Sequence, residues 1–472
     1  MIKIFKNVKI LIPVFLIIVI SLYFCCWVKK AQRPNVLIIT IDALRPDHLS
    51  CYGYKRDTSP NIDSLAKEGV IFKQAISQAA ATHPSNCSFF TSSYPYMHII
   101  GGESYLNPAK ISLANVLNNA GYKTIFLTDY STIIGAIKGF SNEFDFYIPL
   151  NENEPEKVTD SALNVLTENR NKKFFLWVYY FGTHENYGGF SEYSRRYYND
   201  GLVGKKDIEI QPDYSSEIFG VIPKCLEDNG ITDISYYIAK YDGRLKLIDY
   251  QIGLILKKLK ELKIDKNTIV ILLADHGESL EEHNLYFQHT NNLYDISLKV
   301  PLILKYPKLI PQNKEIISQV RLIDVMPTII DVLKIKPNSN FGMEGKSLLS
   351  LILDDNPLTE PYAFGDLDNW LYSIRTENWK LIFIDRQLKK DTYWIEYYKN
   401  DYEFYNLKDD PYETMDLASA GGDKFLFLKE KLDKYVKQAR VYQIKLRKEI
   451  NPDIEIWNED RRKKLRSLGY LQ

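Results

Sequence analysis

Cysteine is scarce: five occur in 472 residues, and two of these, Cys25 and Cys26, lie inside a hydrophobic run. The other three, Cys51, Cys87 and Cys225, form an odd, widely spaced set, which excludes a disulfide framework. A chain of this length buries enough surface to fold without one. Charge of one sign is missing too. Sixty basic side chains balance sixty acidic ones, so there is no basic field for non-specific nucleic-acid binding, and no nucleic-acid partner is expected. Internal repeats and low-complexity tracts are absent, which excludes solenoids and disordered arrays. Histidine is sparse, with seven residues. Apolar residues at 45% and charged residues at 25% are an ordinary globular balance.

One long apolar run exists, Ile10 to Val28, without a charged side chain. About 19 residues at about 1.5 Å each span a bilayer core. Lys3, Lys6 and Lys9 precede it, which favours a cytoplasmic N-terminus over residues 1–9. A cleaved signal peptide is the alternative, but no small-x-small site follows the run. The expectation is a transmembrane anchor over 10–28, with single-pass attachment to the cell membrane and the rest of the chain extracytoplasmic. The Leu22-Tyr23-Phe24-Cys25 stretch is too bulky for a lipidation box. The basic Arg461-Arg462-Lys463-Lys464 run reads as a solvated helix end, attraction to an anionic membrane being the sharper alternative.

Beyond the anchor, apolar runs of strand length alternate with helical patterns. Asn35 to Ile41, Val70 to Ala75, Thr124 to Thr128, Phe174 to Tyr180, Thr268 to Ala274 and Val300 to Leu304 read as strands. Pro60 to Gly69, Ser112 to Ala120, Tyr236 to Leu262 and Leu322 to Leu333 read as helices. The alternation predicts an α/β fold, a large sheet flanked by helices, over residues 33–360. From 361 to 472 shorter strands and an amphipathic helix near Asp423 to Val441 predict a small α+β domain. Between them, Asn186 to Asp233 is rich in Tyr, Gly, Ser and Asp, and reads as a lid or substrate loop over 186–233. Its Tyr187, Tyr193, Tyr197, Tyr198 and Tyr214 are candidates to stack on sugars or meet a lipid headgroup surface.

In open α/β sheets ligands collect beyond the carboxyl ends of strands. Asp42 follows the first strand and Asp275-His276 follows another. An Asp after a strand is most often a turn former; its co-occurrence with Ala81-Thr82-His83-Pro84-Ser85 makes it specific. Thr82 stands just before a helix expected to begin near Ser85, where free N–H groups favour an anion. A threonine hydroxyl is inert by itself, but beside a divalent cation it becomes a nucleophile. Taken alone, Thr82 reads as a cap. Together, Asp42, Thr82, Asp275 and His276 supply metal ligands and a hydroxyl suited to attack on a phosphate or sulfate ester.

The chain resembles the sulfatase branch of the alkaline phosphatase superfamily. The matching blocks are Asn35-Val36-Leu37 through Asp42, Leu44-Arg45-Pro46-Asp47-His48, Ser59-Pro60-Asn61-Ile62-Asp63, Pro84-Ser85 with Ser88 and Thr91, Asp275-His276-Gly277-Glu278, Val300-Pro301-Leu302 and Asp324-Val325-Met326-Pro327-Thr328, with Trp379-Lys380-Leu381 and Asp410-Pro411 towards the C-terminus. The resemblance implies an alkaline-phosphatase-like large mixed sheet with a smaller C-terminal α+β domain. It implies one divalent metal ion on Asp42, Thr82, Asp275 and His276, and places His184 and His289 at the anion and leaving group, with Asn86, His184 and His289 binding substrate. His283 is a further candidate, while His48 and His98 read as structural. Imidazole from His276 favours Mn or Zn over Ca. Ala43 stands where family sulfatases often carry a second Asp, so the oxygen set is thinner.

The departures are informative. Family sulfatases begin C/S-x-P-x-R with a residue oxidised to formylglycine; here the positions hold Thr82 and Asn86. Threonine cannot yield that aldehyde, and Cys87 lacks the spacing. The threonine variant resembles phosphoethanolamine and phosphoglycerol transferases and phosphoesterases. The expectation is therefore a metal-dependent hydrolase or phosphotransferase acting on phosphoric or sulfuric esters of a surface glycan or lipid, with Thr82 as nucleophile. The alternatives are a sulfatase without formylglycine and a catalytically silent sulfatase-like binding protein.

Overall fold

The first strand, β1 (Asn35–Ile41), is β-branched and apolar at nearly every position, and all seven residues are buried. Such two-faced hydrophobicity suits a strand covered on both sides. In this computed structural model the described residues are 33–449, except 101–102, 105, 130–136, 138, 151–152, 185–186, 214–218, 337–341, 359–361 and 388–396. Residues from Asn35 onward cluster as one unit. The expected anchor over 10–28 and the Arg461–Lys464 run lie outside the described residues. Among the described residues no helix is long and apolar enough to cross a membrane.

The other strands of the large sheet are β2 (Val70–Ile76), β3 (Lys123–Thr128), β4 (Phe146–Pro149), β5 (Phe174–Tyr180), β6 (Thr268–Leu273), β7 (Lys299–Lys305), β8 (Lys314–Ile316) and β9 (Val320–Arg321). Their order is β8-β2-β7-β6-β1-β5-β3-β4, with β9 also on β2, in a nine-stranded sheet. β1 is parallel to both neighbours, β5 and β6. β7 runs antiparallel to both β2 and β6, so the sheet is mixed. The helices include α1 (Pro60–Lys67), α2 (Thr82–Thr91), α3 (Leu113–Asn119), α4 (Pro155–Asn169), α5 (Glu192–Asn199) and α6 (Ile234–Glu261). The Asp233 side chain caps α6 by accepting from Ser235 N–H at 3.1 Å. The helix expected over Leu322 to Leu333 splits into a 3-10 turn, Leu322–Asp324, and α7 (Val325–Val332).

The C-terminal sheet is antiparallel and sequential: β10 (Ala363–Leu367), β11 (Leu371–Arg375), β12 (Trp379–Ile384) and β13 (Tyr402–Asn406). Helix α8 (Asp423–Glu449), longer than its sequence pattern predicts, buries Leu428, Leu432 and Val436 against Ile374, Leu381 and Phe404. Asp295, ahead of β7, holds Arg375 at 2.7 Å and Lys380 at 3.0 Å, tying the C-terminal sheet to the loops of the large one. The segment expected as an irregular loop carries α5, packed on α6. Tyr187 and Tyr197 are buried there, at 1% and 2% exposure, while Tyr193 is 39% exposed. Two of the five rings are thus core of this layer, because their faces meet Tyr241 and Arg56. Tyr214 lies outside the described residues.

Candidate active site

β1 lies between β5 and β6, so chain connections leave it in both directions and a crevice opens at the carboxyl edge. Asp42 follows β1 directly, and Asp275 is the second residue after β6. Thr82 arrives from β2, but not ahead of a helix. It is the first residue of α2, whose N-cap is Ala81. Its hydroxyl therefore stands at the helix N-terminus, where unpaired N–H groups carry partial positive charge.

These four residues meet. Thr82 Oγ1 lies 3.1 Å from His276 Nε2 and 3.5 Å from Asp42 Oδ2. His276 Nε2 is 3.3 Å from Asp42 Oδ1 and 3.9 Å from Asp275 Oδ2. All four are fully buried. Ala43 turns away in the left-handed region at φ 54°, a conformation that costs a non-glycine residue about 1–2 kcal/mol. The glycine of Asp275-His276-Gly277 serves close approach rather than an unusual turn: a Cβ there would collide with the Ile296 carbonyl oxygen.

The donor set fits a cation. His276 Nδ1–H donates to Gly277 O at 2.9 Å, so Nε2 carries the lone pair. Burial also keeps the imidazole below its usual pKa, hence neutral. That lone pair faces Asp42 Oδ1, itself an acceptor with no hydrogen bond. Two acceptors at 3.3 Å repel unless a proton or a cation lies between them. Burial, and then the facing Asp275, holds the Asp42 carboxyl well above the carboxylate range. Arg45, three residues after Asp42, is committed to Asp47 and Glu282 at 2.7 Å each. Among the described residues Asp42, Asp275 and His276 are the one group of acidic, histidine or cysteine side chains able to share an ion.

His289 stacks on His276 at 4.4 Å between centroids and meets His184 edge-on at 4.8 Å. Three imidazoles therefore stand in a row, His276, His289 and His184, beside the two strand-end carboxylates. Burial pushes His289 down to about 4 and His184 well below its ordinary value, so both are neutral and each offers one N–H. Asn86 Nδ2 donates to Thr82 O at 2.7 Å and Asp275 Oδ2 at 2.9 Å, which ties the start of α2 to the Asp275 carboxylate. His283 is not brought to this group. It stacks on Tyr294 at 3.6 Å and lines a separate cavity of about 780 Å³ with Arg45, Glu282 and Tyr412. His48 bonds Asp242 at 2.6 Å, and His98 is enclosed by Thr91 and Ser93.

Three site residues went unassigned from the sequence. Glu278 is buried, pushed up to about 8 by that burial, and faces His289 Nδ1 at 3.2 Å. Asp129 directly follows β3 and burial raises it to about 6; the strand-end rule that found Asp42 would have found it. Tyr179 carries no such signal, because it sits in an apolar strand run.

A family model described as Sulfatase matches residues 34–335, and one described as N-sulphoglucosamine sulphohydrolase, C-terminal, matches 281–441. The chain is 25% identical over 431 residues to the Delta 4,5-hexuronate-2-O-sulfatase of Bacteroides thetaiotaomicron, covering 84% of this chain and 87% of that protein. It is 25% identical over 338 residues to iduronate 2-sulfatase of Homo sapiens, covering 58% and 60%. A protein solved in complex with its substrate D-glucosamine-2-N,6-O-disulfate superposes with TM-score 0.67 at 18% identity, over 90% of this chain and 100% of that one. The phosphonate monoester hydrolase of Agrobacterium radiobacter does so with TM-score 0.66 at 18% identity, over 87% and 96%. At these identities the structural likeness speaks for the fold.

Proposed function

We propose, because the chain belongs to the sulfatase family, that it is a metal-dependent enzyme cleaving or transferring an oxyanion ester with Thr82 as nucleophile. One observation carries this reading: a buried threonine hydroxyl at a helix N-terminus, 3.1 Å from the bare Nε2 of His276 and 3.5 Å from Asp42. Asp42, Asp275, His276 and Thr82 would hold the divalent cation, with Mn or Zn favoured over Ca by the imidazole. Bound there, it supplies Lewis-acid stabilisation of the hydroxyl oxygen in its ionised form.

Thr82 Oγ attacks the central phosphorus or sulfur, and Asp42 Oδ2 is the nearest carboxylate oxygen to receive the hydroxyl proton. His184 and His289 donate N–H bonds to the ester's outer oxygens, and one of them passes its N–H proton to the departing alkoxide while its other ring nitrogen takes one up from solvent, so the ring stays neutral. The Thr82 ester is then opened by water or by an acceptor alcohol. Threonine carries a single hydroxyl and no geminal partner, so this second step needs attack at the central atom. That favours phosphoric esters. The glycan sulfatases among the relatives favour the second reading, a sulfate ester on an anionic sugar. The Ile10–Val28 run supports an enzyme tethered to the membrane with residues 33–360 as the catalytic part, the 361–472 part beside it, and a surface glycan or lipid as substrate.

The test is turnover of matched nitrophenyl phosphate, phosphodiester and sulfate by the metal-supplemented chain and by its Thr82→Ala variant. Phosphate or phosphodiester turnover that vanishes in Thr82→Ala is the expected result. Turnover that survives in Thr82→Ala, or sulfate turnover that appears only after maturation by a formylglycine-generating system, rejects the mechanism.

A further inference from the structure

Tyr179 is the penultimate residue of β5, in register with Thr40 of β1, and it is fully buried. Its hydroxyl reaches the carboxyl edge and lies 2.7 Å from Asp42 Oδ2 and 2.9 Å from Asp275 Oδ2. A phenol is a neutral donor with one proton, and here that proton serves two carboxylates that repel each other. The ring is braced edge-on against Phe126, at 6.4 Å between centroids. Asn86 Nδ2 reinforces the same oxygen of Asp275 at 2.9 Å. Asp42 Oδ1 is thereby left to face His276 Nε2 at 3.3 Å, while Asp275 Oδ1 accepts from the His276 backbone N–H at 2.9 Å and Asp275 Oδ2 is itself the oxygen facing Nε2, at 3.9 Å.

We propose that Tyr179 is the positioning residue of the cation site, clamping Asp42 and Asp275 by their Oδ2 atoms so that Asp42 Oδ1 and Asp275 Oδ2 are presented beside His276 Nε2 and Thr82 Oγ1. The proposal rests on the reading that Asp42, Asp275 and His276 hold a divalent cation. It gives a physical answer to the thin oxygen set left by Ala43. The clamp adds no charge, keeps the ligand set at two carboxylates, and spares it the repulsion of a third. Hydrogen bonds to ligating groups fix their orientation, and their loss typically weakens metal binding by about 10–100-fold.

The experiment is calorimetric titration of metal-stripped wild-type chain and Tyr179→Phe with Mn²⁺ and, separately, Zn²⁺. The substitution removes one oxygen and keeps the ring, so packing is conserved. Melting of both metal-stripped proteins checks the fold. Wild type is expected to take one equivalent, and Tyr179→Phe to bind about 10–100-fold more weakly with a smaller metal-induced rise in Tm. Asp42→Asn, which removes a ligand charge, is expected to lose binding altogether. Equal dissociation constants for wild type and Tyr179→Phe overturn the clamp while leaving the cation site standing. A wild type that takes no metal overturns both.

Discussion

The hydroxyl of Thr82 is held by its surroundings rather than by its own chemistry. His276 and Asp42 fix it, and Asn86 holds its carbonyl at 2.7 Å. Thr82→Ser keeps the hydroxyl and should keep measurable turnover; Thr82→Ala should fall to background with an unchanged melting curve. On β10, Asp366 is fully buried, and that burial pushes its carboxyl up to about 8. In the folded chain it therefore keeps its proton at neutral pH, while in the unfolded chain it ionises near 3.8. Unfolding then releases a proton, so stability falls as pH rises from about 4 to about 8 and levels off above. Asp366→Asn removes this dependence. Its Tm relative to wild type should be higher at pH 8 than at pH 5 by calorimetry, and a constant difference would refute the assignment.

At the scale of elements, the layer over 186–233 is anchored by Arg56. Its guanidinium donates to Asp242 Oδ2 of α6 at 2.7 Å, to Tyr197 O of α5 at 2.6 Å and to Asp200 Oδ2 at 2.8 Å. Removing one partner of a buried ion pair costs about 3–5 kcal/mol. Here that loss falls on the junction of α5 with α6, so Arg56→Ala should open the layer locally. Limited proteolysis should then cut between residues 186 and 205 faster than in wild type. If the layer governs access of large substrates, small nitrophenyl esters should still turn over while glycan-borne esters suffer. Equal loss on both classes would mean that α5 supports the catalytic edge itself.

For the whole molecule, a cation held at this site would be linked to folding. A ligand that binds the folded chain alone stabilises it by about 2.7 kcal/mol at a free concentration of about 100 Kd. Melting in chelator and in Mn²⁺, Zn²⁺ or Ca²⁺ should show a rise of a few degrees, larger for Mn²⁺ or Zn²⁺ than for Ca²⁺. No shift with any of the three would remove the cation from the account.

The strand runs, the strand-end Asp42 and Asp275-His276, and the threonine before Pro84 were legible in the order of residues alone. Each depends on local pattern: period, strand length, and which residue type follows a strand. The family and its mixed α/β fold with a small C-terminal sheet followed from the same blocks. Tertiary structure decided the rest. Helix α2 begins at Thr82 itself because Ala81 is extended, at φ −153°. Tyr187 and Tyr197 became core because α5 packs on α6. The Tyr179 clamp exists because β5 lies beside β1, which brings residue 179 next to residues 42 and 275. A hydroxyl shared by two strand-end carboxylates depends on strand order, and strand order comes from packing rather than from any periodicity along the chain.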